Sequence, residues 1–147
     1  MSEKDFKGAF MLIDALCEAY DNLKWKPHNG TTFCNLAVQW IMEKIGYAGF
    51  KNMVANQMVE KMREGKKWKP VKMESAQFFA NQGNVIALGI RDSPHGHIAI
   101  VRPGVQVYSN KWKTYCPKLM NIGIQNSISK GANWVFTKQP EVFIYLG

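Results

Sequence analysis

No stretch of this chain approaches the roughly 18 consecutive apolar residues of a membrane-spanning helix, so a helical membrane anchor is excluded within the sequence. Low-complexity tracts, heptad runs and internal repeats are also missing, which removes coiled coils, solenoids and disordered scaffolds. The opening residues, MSEKDFKGAF, mix acids with bases and have no apolar signal core; synthesis in the cytoplasm is the expectation. Cysteine is scarce and odd in number. Cys17, Cys34 and Cys116 form no CxxC pair, an arrangement that argues against a disulfide framework and against structural zinc.

What the chain does have is enough apolar material for one core. Its 147 residues, 46% hydrophobic and 12% aromatic, suit a single domain over 1–147. The net charge of +8 favours polyanionic partners such as nucleic acid, anionic lipid or an anionic cell-wall polymer. Lysines gather at Lys24 and Lys26, in GKKWKP (65–70) and in NKWKTY (110–115), and each group carries a tryptophan: Trp25, Trp68 or Trp112. Two readings compete. The tryptophans fold inward beneath a solvated basic surface, or they stack on sugars or bases while lysines pair with anions.

Residues 4–23 carry Phe6, Phe10, Ile13, Cys17 and Tyr20 at helical spacing, which predicts an amphipathic helix with Cys17 in the core. A loop, KWKPHNG, follows. A second helix is expected to start at Thr31 or Thr32, either a good N-cap, and to end near Gly46. Its wide apolar face (Phe33, Leu36, Ala37, Val38, Trp40, Ile41, Ile45) makes it a buried helix, with Cys34 in its first turn and Met42 on the narrower polar side. Further helices are predicted over 52–64 and 74–83. Strand texture then takes over: NVIALGIR (84–91), GHIAIVRP (96–103) and VQVYS (105–109), with weaker candidates KLMNIGI (118–124), NWVFT (133–137) and VFIYL (142–146). Helices over about 4–83 followed by strands over about 84–146 predict an α+β fold with an antiparallel sheet.

A thiol is a useful nucleophile as thiolate, and both a helix N-terminus and a nearby imidazole favour that form. Cys34 has the first. His97, at the head of HIAIV, can supply the second, and first-turn amides can form an oxyanion hole. Gly96 would let a helix terminus approach beside His97.

TTFCNLAVQWI followed by GHIAIVRPG resembles the papain-fold peptidoglycan hydrolases, the CHAP-type amidases and NlpC-like cell-wall peptidases. The likeness is sharp over those two stretches and extends to the order of elements, although Phe33 and Asn35 flank Cys34 where these families often show Asp or Ser before and Ser or Gly after. The resemblance implies a papain-like fold, with N-terminal helices on an antiparallel sheet and the nucleophile opening a buried helix. It implies a cysteine amidase or peptidase without cofactor, with Cys34 as nucleophile, His97 as base and a polar third residue on the next strand. Asn121 is the first choice for that residue; Gln125, Asn126, Tyr108 and Ser109 stay open. His95, Trp25, Trp68 and Trp112 are the candidate substrate-binding residues. Peptidoglycan or another anionic glycopeptide is the implied partner, possible immunity or delivery proteins apart, and the implied enzyme is a monomer acting at the cell envelope after export by a route other than a signal peptide.

Three other readings stand beside this one. His95 and His97 with Cys34 or His28 could bind a metal, although no carboxylate has obvious spacing to complete the site. The chain could be a basic, non-catalytic binding module for cell wall or nucleic acid, though it shows no RNA-binding signature. A hydrolase of the same fold could act on an amide outside the cell wall. Cys116, before Pro117, reads as a partly buried spectator, and His28 as a loop residue.

Overall fold

A computed structural model describes residues 14–18, 20–21, 33–123 and 126–147. Residues 14–18 and 20–21 are helical, in line with the predicted first helix. The buried face there carries Ala15 and Leu16, while Cys17 is exposed. The expectation of a core thiol is therefore corrected: the stripe reaches the core one residue earlier, and Tyr20 packs against it from the side.

Among the described residues four further helices and eight strands follow: α1 Cys34–Ile45, α2 Ala55–Arg63, β1 Trp68–Pro70, α3 Met73–Asn81, β2 Ile86–Ile90, β3 His97–Val101, β4 Val107–Ser109, β5 Thr114–Cys116, β6 Lys118–Asn121, β7 Ser127–Gly131, α4 Ala132–Val135 and β8 Glu141–Tyr145. The class is α+β. Six strands form one antiparallel sheet in the order β1-β8-β2-β3-β6-β7, and β4 pairs with β5 in a separate hairpin.

The sheet is covered on both faces, so its central strands read as continuous apolar runs. Alternation divides them cleanly. Ala87, Ile98, Ile100, Met120, Ile122 and Phe143 point toward α1 and α2, with Val38, Ile41, Met42, Met58 and Met62. Ile86, Leu88, Ala99, Val101, Leu119 and Val142 point the other way, toward Ala76 and Ala80 of α3, Cys116 of the hairpin and Phe136 after α4. Each buried aliphatic side chain of this kind contributes about 1.5–3 kcal/mol. Met42, expected on the polar side of its helix, is fully buried, and Leu36, expected on the apolar face, is 40% exposed. The face of α1 is rotated toward Cys34, Ala37, Val38, Ile41 and Met42.

Two boundaries follow local chemistry. Gly46 ends α1 with φ 106° and donates its N–H to the Glu43 carbonyl, a conformation that glycine alone adopts cheaply. Gly65, with φ 75°, closes the turn after α2. Phe33 precedes α1 without a side-chain cap; Thr31 and Thr32 lie outside the described residues, as do Trp25 and His28. The strand expected over 133–137 is instead the short helix α4 followed by Phe136. The strictly helix-then-strand order is also revised, because β1 interrupts the helices and pairs with the last strand, β8.

Candidate active site

Cys34 is the first residue of α1 and is 8% exposed. The first intrahelical bond runs from the Ala37 N–H to the Phe33 carbonyl at 2.9 Å, so the amides of Cys34, Asn35 and Leu36 have no acceptor within the helix. The start of α1 is fixed by Asn35, whose Nδ2 donates to the Met53 carbonyl at 3.2 Å in the turn before α2. Burial pushes the Cys34 thiol pKa up, and the backbone N–H groups of Ile98, Asn35 and Cys34 itself pull it back down. Ile98 directly follows His97. The sulfur therefore sits beside the first peptide units of β3.

His97 opens β3 and is partly buried. Its Nε2 lies 2.6 Å from Asn121 Oδ1. With the amide oxygen as acceptor, Nε2 carries the proton and Nδ1 keeps a lone pair. The register pairs Ile100 with Met120 and Val101 with Leu119. Continued toward the start of the strand, it sets Asn121 diagonal to His97 on the same face, the geometry in which long side chains meet across antiparallel strands. Burial lowers the His97 pKa more than the Asn121 hydrogen bond raises it. A Phe136 ring 5.2 Å from the imidazole, centroid to centroid, covers its other side.

Alternation puts the His97 ring on the Ala99 and Val101 face, whereas Cys34 belongs to the core of Ile98 and Ile100. Cys34 meets the strand at the amide of Ile98, the residue after His97, and at these first residues β6 no longer pairs with β3. Gly123 stands where β6 would oppose His97. A Cβ at this position would lie 3.3 Å from His97 Cε1 and 3.4 Å from Asn121 Nδ2, so the bare backbone leaves room for the imidazole. The Asn126 Oδ1 accepts the Gly123 N–H at 3.1 Å and holds this turn.

The loop leading to His97 is clamped by α2. Asn56 Nδ2 donates to the Asp92 carbonyl at 2.9 Å, and the Asp92 N–H donates to Asn56 Oδ1 at 3.1 Å. A Cβ on Gly96 would collide with Asn56 Oδ1 and with the Ile90 carbonyl. Gly96 thus does admit a helix terminus, but that of α2 rather than of the cysteine helix.

The remaining sequence candidates are dispersed. His95 is exposed in the loop before β3. Trp68 is 1% exposed, packed among Phe50 (5.4 Å between centroids), Tyr47 (5.8 Å) and Tyr145 (5.2 Å); a substrate contact is ruled out for it, because a ring without accessible surface cannot touch a polymer. Trp112 is partly buried and lines a cavity of about 700 Å³ with Arg63, Lys72, Glu74 and Glu141. Cys34, His97 and Asn121 are not among the cavity's lining residues. Ser109 is buried and its Oγ accepts the Trp112 N–H at 3.1 Å. Tyr108 faces outward against Tyr115, and Gln125 lies outside the described residues. Cys116 is 1% exposed at the end of β5, and burial raises its pKa. Among the described residues, no three His, Cys, Asp or Glu side chains cluster as metal ligands would, and no helix is long and apolar enough to cross a membrane.

Asn56, Gly123 and Phe136 escaped the sequence reading. Only Gly123, a glycine closing a predicted strand, carried a local signal. No family model matches this chain, and no curated protein does.

Proposed function

We propose that this chain is a cysteine hydrolase of papain-like fold that cleaves an amide bond in peptidoglycan through a thioester on Cys34. The observation that carries the reading is the His97–Asn121 contact of 2.6 Å at the head of β3, where the next residue's amide acts on the Cys34 thiol.

Both pKa directions favour a neutral resting pair, thiol and imidazole, over a preformed ion pair. His97 then works as a general base. Asn121 holds Nε2–H, which leaves Nδ1 to take the thiol proton as the sulfur attacks the amide carbonyl. The Cys34 N–H, free of helical bonding, stabilises the oxyanion. The imidazolium returns its proton to the leaving amine, and water activated by His97 releases the acyl group and regenerates the thiol. Asn121 orients and does not titrate.

Mass spectrometry of peptidoglycan incubated with wild type and with Cys34→Ala tests the reading. New amine and carboxyl termini with wild type alone are expected. Identical, intact material from both would remove the cell-wall assignment. A parallel screen of protein and lipid amides would reveal a hydrolase of the same mechanism with another substrate.

A further inference from the structure

The +8 charge of the chain is unevenly distributed. From Ser93 to Pro140 there is no Asp or Glu, although the chain holds 11 acids, and the same span carries Arg102, Lys111, Lys113, Lys118, Lys130 and Lys138. The folded span also exposes aromatic rings. Tyr108 is 50% exposed, Tyr115 49% and Trp134 81%. Tyr108 and Tyr115 are cross-strand partners on the outer face of the β4–β5 hairpin, with centroids 5.2 Å apart. Their neighbours Val107 and Cys116 face inward.

The hairpin and the tryptophan are held together. Lys111 Nζ donates to the carbonyls of Asn133, Phe136 and Thr137 at 3.2–3.3 Å, joining the hairpin turn to the C-terminal end of α4. A Cβ on Gly131 would meet Val107 Cγ2 at 2.7 Å and Trp134 Cδ1 at 3.7 Å, so β4 packs against the β7–α4 junction beside the tryptophan ring. Lys113 stands exposed at the hairpin turn. The same short helix that carries Trp134 runs directly into Phe136, whose ring packs on His97.

A cross-strand pair of exposed aromatic rings offers a stacking surface, and an exposed lysine attracts anions. Together they match a polymer with a stackable ring and a negative charge in each repeat. We propose that Tyr108, Tyr115 and Trp134, with Lys113, form an exosite for an anionic glycan strand. The strand lays sugar rings on the aromatic faces and presents carboxylates or phosphates to the lysines. The choice of glycan over single-stranded nucleic acid rests on the hydrolase reading above; the surface itself does not depend on the thiol.

The test is co-sedimentation of the full chain, carrying Cys34→Ala to prevent cleavage, with insoluble peptidoglycan sacculi. Sacculi before and after removal of phosphodiester-linked polymers distinguish phosphate from carboxylate as the anion. Tyr108→Ala/Tyr115→Ala and Trp134→Ala are each expected to lower retention by about tenfold, from the roughly 1–3 kcal/mol of a stacking contact, and Lys113→Glu is expected to lower it by reversing a charge that faces the anion. Retention is expected to fall between low and high salt. Unchanged thermal melts, expected because these side chains are exposed, separate lost binding from lost folding. Retention unaffected by all three variants, or by salt, overturns the proposal. Tighter binding of an oligodeoxythymidine than of sacculi, lost in the same variants, overturns the glycan assignment. Sacculi binding without cleavage by wild type would leave the exosite standing and remove the cell-wall cleavage reading.

Discussion

His97 Nε2 and Asn121 Oδ1 meet at 2.6 Å although 24 residues separate them in the chain, because the β3–β6 register sets them diagonally on one face. The contact fixes which ring nitrogen is protonated. Asn121→Ala removes the acceptor and leaves a partly buried N–H unpaired, at a cost of about 1–3 kcal/mol. Hydrolysis is expected to fall at least about tenfold, with a ceiling near the roughly 10⁴-fold loss that follows a wrong histidine tautomer. Asn121→Asp restores an acceptor and adds a charge that favours imidazolium, so the acid limb of its pH–rate profile moves to higher pH. Digestion rates across pH, beside thermal melts, check both; an Asn121→Ala enzyme as fast as wild type would remove the residue from the site.

The pH dependence of the wild type follows from burial. The His97 pKa is depressed below the ordinary 6.5, so under the proposed mechanism the neutral imidazole is favoured at pH 7 and activity is expected to fall only on acidification. Stability follows the same proton. The unfolded chain binds it more readily, so stability falls as pH drops below about 6.5 and the loss levels off under the folded pKa. Cys34 acts at the other end. Its folded pKa lies above the ordinary 9.0, so the unfolded thiol ionises first and stability declines as pH rises past 9.0. Denaturant titrations of wild type, His97→Gln and Cys34→Ala are expected to show each slope vanish with its group.

Much of the fold was legible because it rests on local signals. The Val and Ile runs at Ile86–Ile90 and His97–Val101, and the glycine after α1, are strand and cap chemistry readable from neighbours in the chain. Of the elements missed, β5 and β7 pair with the strands just before them, whereas others depend on distant partners. Trp68–Pro70 is a strand only because β8 pairs with it, and the lysine-rich GKKWKP around it reads as basic surface. Residues 133–137 have strand-like composition, yet Lys111 caps a helical turn there. Cys34 in a helix's first turn and His97 at the head of a strand were visible as types in order, and Asn121 was reached through the resemblance; the clamp from Asn56 was not visible, since a polar residue in a helix's first turn has many uses.

That clamp predicts a backbone-limited site at Gly96. A methyl group there meets the Asn56 amide, which can move, and the Ile90 carbonyl, which cannot without disrupting β2. Gly96→Ala is expected to destabilise the fold by about 1–3 kcal/mol. Asn56→Ala removes only the movable obstacle, so the double variant recovers little of that loss. Chemical denaturation of the four-member cycle measures it; full recovery in the double variant would show the side-chain contact, not the strand, to be limiting.

The thiols give a test that needs no substrate. Cys17 is exposed, Cys116 is 1% exposed and Cys34 8%. With iodoacetamide near pH 8, Cys17 is expected to alkylate fastest and Cys116 only on unfolding. Cys34 is the informative case. Burial alone predicts inertness, but a lone-pair nitrogen on His97 would draw its proton and raise its rate above that of Cys116. Peptide mass spectrometry at timed intervals separates the three sites. His97→Ala is expected to slow labelling at Cys34 while leaving Cys17 unchanged. Equal Cys34 rates in wild type and His97→Ala would show that the imidazole does not act on the sulfur, and the thioester mechanism would fail with it.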